Sequence, residues 1–335
     1  MLPSGMSLRR RREVDSVSLD FAPMEGITSR AFRELHAAHF PGVDRYWIPF
    51  FSPTASHELT ARQLRELEPG TLGCERLVPQ VLTKNAADFI WAAEAVGALG
   101  YREVNLNLGC PSGTVVSKGK GAGMLRGPEA LDRFLEAVFT AAPLPISVKT
   151  RIGVDDPREW QTLLPIFARY PIRELTVHPR TRREFYKGSV HPDAFRQAAQ
   201  DLPFALRYNG NLFTVADVRR TQAEFPGLQG LMLGRGLLAD PALIVRCRGG
   251  ERDRAALIAF HEELAACYLA TMHPDGAVLP KFKELWRYLS LLLQDERAWK
   301  RLRRCSCWAE FHPLALELLR SAELAEQADF SRIAS

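Results

Sequence analysis

"REVNLNLGCPSGTVVSKGKGAGMLRGPEALDRFLEAVFTAAPLPISVKT", residues 102–150, holds one full period of the fold. REVNLN (102–107) alternates apolar and polar residues as a strand does. A loop rich in glycine follows. Residues 128–141 then read as a helix, with Pro128 in its first turn, where a missing N–H costs nothing. LPISVKT (144–150) is a second strand. Strand, helix and strand in that order describe a parallel pair joined by a crossover helix.

The same pattern continues on both sides. Strands are expected at 18–22, 45–50, 76–81, 173–178, 204–209 and 230–234, and helices at 28–38, 86–96, 156–170, 191–200 and 215–225. Eight strands alternating with helices are the pattern of a closed (β/α)8 barrel, which the even spacing favours over an open doubly wound sheet. From residue 251 the strands stop, and 251–272, 281–294, 296–306 and 314–327 read as helices. The expected fold is therefore α/β. A TIM (β/α)8 barrel spans 17–250, a small all-α domain spans 251–335, and residues 1–16 form a disordered arm with the basic run Arg9–Arg12.

Of the 335 residues, 46% are hydrophobic and 25% charged, and the net charge is +5. That is ordinary globular composition with a mild basic excess, which permits a polyanionic partner without requiring one. Six cysteines form no C-x-x-C pair, so no metal site is expected. The first residues contain no apolar core of a secretory signal, and no apolar run reaches membrane-spanning length. A cytoplasmic protein with free thiols and no membrane partner is expected, working as a monomer without an obligate protein partner.

Barrel enzymes place their chemistry at the C-terminal ends of the strands. Here those ends carry Pro23 and Met24, Gln80, Asn105 and Asn107 with Cys110, Lys149 and Arg151, His178, Asn209 and Gly210, and Gly234 with Arg235. Singly, each has a bland reading as a loop cap or a satisfied core residue. Lys149 is the hardest to dismiss, because an unpaired buried ammonium is costly. A closed barrel would point all of these ends at one mouth. Glycines after strands 7 and 8 also suit a phosphate approached by backbone N–H groups, so a phosphorylated cofactor with a polar ring is expected.

At these residues the chain resembles the tRNA-dihydrouridine synthases. The matching stretches are APMEGITSRAFR (22–33), NLGCPSGTVVSKGKGAGML (107–125), SVKTRIG (147–153), LTVHPRTRREFYKG (175–188), YNGNL (208–212) and MLGRGLLADP (232–241), and APMEG resembles the C-type bacterial branch. The resemblance implies FMN in the mouth and tRNA laid across it. Pro23, Met24, Gln80, Lys149, His178, Asn209, Gly210, Asn211, Gly234 and Arg235 would bind the flavin. Asn107 would hold the target uracil, and Arg151, Arg182, Tyr186, Lys281 and Arg287 would meet tRNA. Reduced FMN would deliver hydride to uracil C6, and Cys110 would give a proton to C5. A thiol of ordinary pKa, about 8.5, keeps its proton at neutral pH. NADPH (or NADH) would supply the electrons.

A uracil inside folded tRNA must be turned out of its stack to reach such a site. KFKELWRYL (281–289) resembles the family's RNA-binding helical part, and residues 281–304 hold eight basic against three acidic residues with Trp286, Tyr288 and Trp299 interleaved. Two positions depart from the family: Pro49 stands where a Glu is usual, and Asn211 where an Asp is common. Two other readings use the same residues. One is an FMN-dependent dehydrogenase of free pyrimidines, which the basic tail disfavours. The other is a tRNA-binding protein with decayed catalysis, which intact Cys110, Lys149 and His178 disfavour.

Overall fold

A computed structural model of the protein describes residues 17–272 and 277–333; the expected arm at 1–16 lies outside the described residues. Nine short strands form one sheet: β1 (Ser18–Phe21), β2 (Tyr46–Trp47), β3 (Leu77–Val78), β4 (Gln80–Val81), β5 (Val104–Leu108), β6 (Ile146–Arg151), β7 (Glu174–His178), β8 (Ala205–Tyr208) and β9 (Gly230–Leu233). Their order is β3-β2-β1-β9-β8-β7-β6-β5-β4. The pairs β2–β3 and β4 through β9 are parallel.

The two ends of that order, β3 and β4, are separated along the chain by Pro79 alone. The order therefore returns on itself, and the nine strands are eight barrel staves with the third broken in two. Proline has no N–H for the ladder, so pairing lapses there, although the Pro79 carbonyl still accepts from Asn105 N at 2.9 Å. Pro49 shortens the second stave in the same way. It ends at Trp47 rather than running to 50.

Two compact units divide the chain. The first takes the chain to Asp20, then Asp44–Asn211 and Arg220–Met232; the second takes Phe21–Val43, Leu212–Arg219 and Leu233–Ser335. In the first unit, the helix Pro128–Ala141 runs as the sequence predicts, burying Leu131, Phe134, Leu135 and Val138 along one stripe. A further helix, Ala61–Leu67, opens with a capping box between Thr60 and Gln63, a T-x-x-Q signal readable in the sequence.

Period-two alternation sorts the strand side chains. Val104, Leu106, Leu108, Val148, Leu175 and Val177 are fully buried on one face. The other face is polar. Register aligns Asn105 with Ser147, Asn107 with Lys149, Lys149 with Thr176 and Thr176 with Arg207.

At the N-terminal ends of the strands this polar face becomes an ion network. Arg207 pairs with Asp20 at 3.2 Å and with Glu174 at 2.9 Å. Arg45 reaches Asp20, Glu174 and Glu103, and Trp47 Nε1 donates to Asp20 at 2.8 Å. Burial pushes the Glu174 carboxyl up, but Arg207 and Arg45 outweigh it and hold it below its ordinary value. Gly230 is obligatory beside this network, because a Cβ there would collide with the Arg207 guanidinium.

The second unit is helical. Arg254–Thr271, Val278–Leu289 and Trp308–Ser321 bury Phe260, Leu264, Phe282, Trp286, Phe311 and Leu319, and Arg30–His39 sets Phe32 edge-on to Phe260. His261 lies inside this core, stacked on His312 and flanked by Phe282 and Trp286. Neither of its ring nitrogens has a hydrogen-bond partner among the described residues. Burial pushes its pKa down to about 3, with His312 adding to the fall.

Two outcomes follow from these interiors. Arg207→Met leaves buried Asp20 and Glu174 short of a cation, so urea melts should show a loss of about 3–5 kcal/mol; a loss under about 1 kcal/mol would mean that the network is dispensable. For His261, the folded pKa lies below the unfolded one. Its neutral form is fully favourable above pH ~6.5, and that stability is lost as pH falls from there toward 3. His261→Phe should remove about 2 kcal/mol of the destabilisation seen between pH 7.5 and pH 5, measured as the difference between variant and wild-type melts.

Candidate active site

In the first unit, the C-terminal ends of the strands build a connected polar mouth. Gln80 Nε2 donates to Asn105 Oδ1 at 2.7 Å, and Asn105 Nδ2 donates to Ser147 Oγ at 3.0 Å. Asn107 Nδ2 donates to Gln80 Oε1 at 2.7 Å. The other end of the Asn107 carboxamide accepts from the N–H groups of Gly109 and Cys110 at 3.0 and 2.9 Å. Asn107 thus shapes the turn that presents Cys110, so one chain of amides links the strand ends to the thiol.

The glycine-rich loop after Cys110 is built of short helical turns, Gly113–Val116 and Gly121–Arg126. Ala122 N donates to the Cys110 carbonyl at 3.1 Å. Gly121 has φ 56°, and a Cβ there would press on Cys110 at 3.0–3.1 Å. Only glycine satisfies both demands.

Lys149 lies on the same inner face as Asn107. Burial pushes its ammonium down to about 7; the neighbouring Arg151 guanidinium lowers it further, and Cys110 opposes the shift. Its Nζ makes no hydrogen bond within the described residues. Such a group calls for an anionic or strongly accepting ligand.

The other expected site residues of this unit fall nearby with defined partners. Arg151 is buried, and donates to the carbonyls of Gly109, Thr181 and Phe185 at 2.8–2.9 Å. His178 Nε2 lies 3.4 Å from Arg180 Nη1 and meets Tyr186 edge-on. Arg180, which the sequence reading left without a role, donates to the Gly188 carbonyl at 2.6 Å and to Asn211 Oδ1 at 3.1 Å. Asn209 Nδ2 donates to the Met232 carbonyl at 2.7 Å. At Gly210 a Cβ would collide with the Tyr208 ring. Arg182 Nε donates to the Pro111 carbonyl at 3.2 Å.

A separate group gathers in the second unit. Gly234 leaves room for Met24, whose Sδ would lie 3.1 Å from a Cβ at that position. Met24 N donates to Thr28 Oγ1, so the turn after Pro23 is fixed. The Arg235 guanidinium lies over the Phe213 ring at 5.0 Å. Lys281 bonds to the Gly26 carbonyl. Arg287, Arg297, Lys300, Arg301, Arg303 and Arg304 are exposed while Trp286 is buried, so the helices carry a basic outer surface over an aromatic core.

A closed parallel barrel whose strand ends present amides, a part-buried lysine and a thiol is a barrel enzyme. The chain belongs to the dihydrouridine synthase family, whose model matches residues 20–320, and it is an oxidoreductase of the tRNA-dihydrouridine synthase type. The tRNA-dihydrouridine(16) synthase of Pseudomonas putida is 28% identical over 329 residues, covering 95% of each chain. That of Cupriavidus necator is 33% identical over 239 residues, covering 69% of this chain and 73% of that one. A morphinone reductase variant in complex with tetrahydroNAD shares the fold, with a TM-score of 0.50 at 12% identity, over 71% of this chain and 89% of that one.

The lysine supplies a test of the site. Its folded pKa lies below the unfolded one, so the ligand-free fold carries a penalty in full below pH ~7 and sheds it as pH rises toward ~10. Lys149→Met should stabilise the ligand-free protein at pH 7 by about 1–3 kcal/mol and flatten the rise in melting temperature from pH 7 to 10. An unchanged profile would place the ammonium in water.

Proposed function

We propose that the protein reduces the C5–C6 bond of the uridine at position 16 in the tRNA D-loop, with FMN in the barrel mouth and NADPH as electron donor. The observation that carries this reading is the Asn107 carboxamide. It fixes the Cys110 N–H at 2.9 Å while it is itself fixed by Gln80, which aims a thiol from the same strand ends that carry Lys149. The position comes from relatives whose names specify it.

FMN, when bound and reduced, supplies the hydride that goes to uracil C6. Cys110 gives its S–H proton to C5, so one hydride and one proton saturate the double bond, and the thiolate left behind recovers its proton from solvent. Lys149 would hold its ammonium toward the flavin, where it would offset the negative charge of a reduced ring. The absence of any other hydrogen bond at its Nζ within the described residues suits that pairing. Gln80 keeps an amide hydrogen for the flavin edge. His178, Asn209, Gly210 and Asn211 would hold the cofactor from the neighbouring strand ends, and the resemblance assigns Pro23, Met24, Gly234 and Arg235 to flavin binding as well. Asn107, Arg182, Tyr186, Lys281 and Arg287 serve the RNA, and Arg151 serves it through the loop carbonyls it holds.

In this reading the barrel spans 17–250 and residues 251–335 orient the tRNA by their exposed cations, whose phosphate contacts make binding salt-dependent. The protein acts as a cytoplasmic monomer. No helix among the described residues is long and apolar enough to cross a membrane.

Mass-spectrometric mapping of dihydrouridine in tRNA from a strain lacking the gene tests this. Dihydrouridine at position 16 should vanish, return with the wild-type gene and stay absent with Cys110→Ala. An unchanged map in a strain without a redundant enzyme would refute the tRNA reading and favour free pyrimidines as substrate.

A further inference from the structure

Three large apolar side chains stand exposed among the described residues, and two of them are neighbours: Phe185 at 39% and Tyr186 at 46%. Phe185 is also one of only two described non-glycine residues in the left-handed region, with φ 51°. That conformation is costly for a bulky side chain and persists only where the surroundings enforce it.

Here the surroundings do enforce it. Buried Arg151 donates to the Phe185 carbonyl and to the Thr181 carbonyl, both at 2.8 Å. Arg180 donates to the carbonyls of Lys187 and Gly188. Glu184 accepts from Thr181 N and pairs with His191 at 2.7 Å. The loop is braced from below, yet both rings stay partly open to solvent, with the Tyr186 ring resting against Arg151 and His178. Exposed Arg183 and Lys187 flank them, and the Arg182 guanidinium lies over the Phe185 ring, 4.9 Å from its centroid.

The bracing leads to the thiol. Arg151 holds the Gly109 carbonyl at 2.9 Å, and Arg182 holds the Pro111 carbonyl at 3.2 Å. These are the carbonyls on either side of Cys110. Each is therefore bonded to an arginine that also holds Phe185, one through its backbone and one through its ring.

Exposed rings flanked by cations are the chemistry that receives a splayed base with its phosphates, since a π-face stacks any base and the cations meet the backbone. We propose that Phe185 is a base-stacking residue for an unpaired nucleotide beside the target uridine, and that Arg151 and Arg182 tie this platform to the Cys110 loop. The inference rests on the tRNA reading above. It makes Phe185 a positioning and specificity residue rather than a catalytic one.

The test uses the full chain, an unmodified tRNA transcript, and the variants Phe185→Ala, Phe185→Gly and Phe185→Trp. Loss of the ring should weaken tRNA binding about tenfold in both Ala and Gly variants and raise KM for tRNA more than it lowers kcat. Glycine suits the left-handed backbone, so Phe185→Gly should melt no lower than Phe185→Ala; equal losses of binding then trace to the ring and not to strain. Phe185→Trp should bind like wild type, and its added fluorescence should be quenched by tRNA but not by an RNA duplex of the same length. Binding within twofold of wild type in the Ala and Gly variants, or unquenched fluorescence in the Trp variant, would overturn the stacking role while leaving the tRNA reading intact. Failure of the wild-type protein itself to bind the transcript would instead bring down the tRNA reading, and this inference with it.

Discussion

Two guanidiniums, the buried Arg207 and the part-buried Arg45, hold together the inner wall on which the rest of the barrel depends. A closed barrel has no edge and no solvent inside, so every polar group on its inner face must find a partner there. Asp20, Glu174 and Glu103 could not be tolerated in that space singly. Grouped around two arginines they become a cross-link, since each guanidinium touches carboxylates from separate strands. The fit is incomplete at one point. Glu103 Oε1 has no partner among the described residues, and burial raises the Glu103 pKa against the pull of Arg45.

Above that network the same alternation continues with neutral groups. Gln80, Asn105, Asn107 and Ser147 satisfy one another in sequence, and amides suit the task because each both donates and accepts. A chain of this kind has few spare hydrogens, so it fixes direction as well as position. Its last member spends its oxygen on the turn before Pro111, and Cys110 inherits the orientation. Lys149 then stands out on this wall as a cation whose hydrogen-bonding needs are unmet within the described residues. The packed floor and the poised mouth are two ends of one period-two pattern.

Much of this was legible in the sequence because it obeys a period. The strand, loop and helix of 102–150 appear where the alternation and the N1 proline place them, and the polar strand ends line one face. Less legible were features that depend on a partner far along the chain. The stave at 76–81 looks continuous until Pro79 is asked for an N–H it lacks. The glycine loop after Cys110 reads as slack, but its left-handed Gly121 packs on the cysteine it follows. The resemblance makes Arg151 a contact for RNA. Its guanidinium is in fact spent on three carbonyls, a use for which no local pattern exists. Phe185 gave no signal at all, because its exposure and its backbone conformation are properties of the folded loop.

The resemblance leads to an expectation of carboxylates at positions 49 and 211, where the chain carries Pro49 and Asn211. Asn211 still accepts from Arg180, so the hydrogen bond survives the loss of charge. In the same mouth, burial first and the Arg151 guanidinium second hold the Lys149 pKa down. Like charges held together in a buried site raise the energy of the empty state, and an anionic ligand relieves it. Relief of this kind is delivered when ligand arrives rather than when the chain folds.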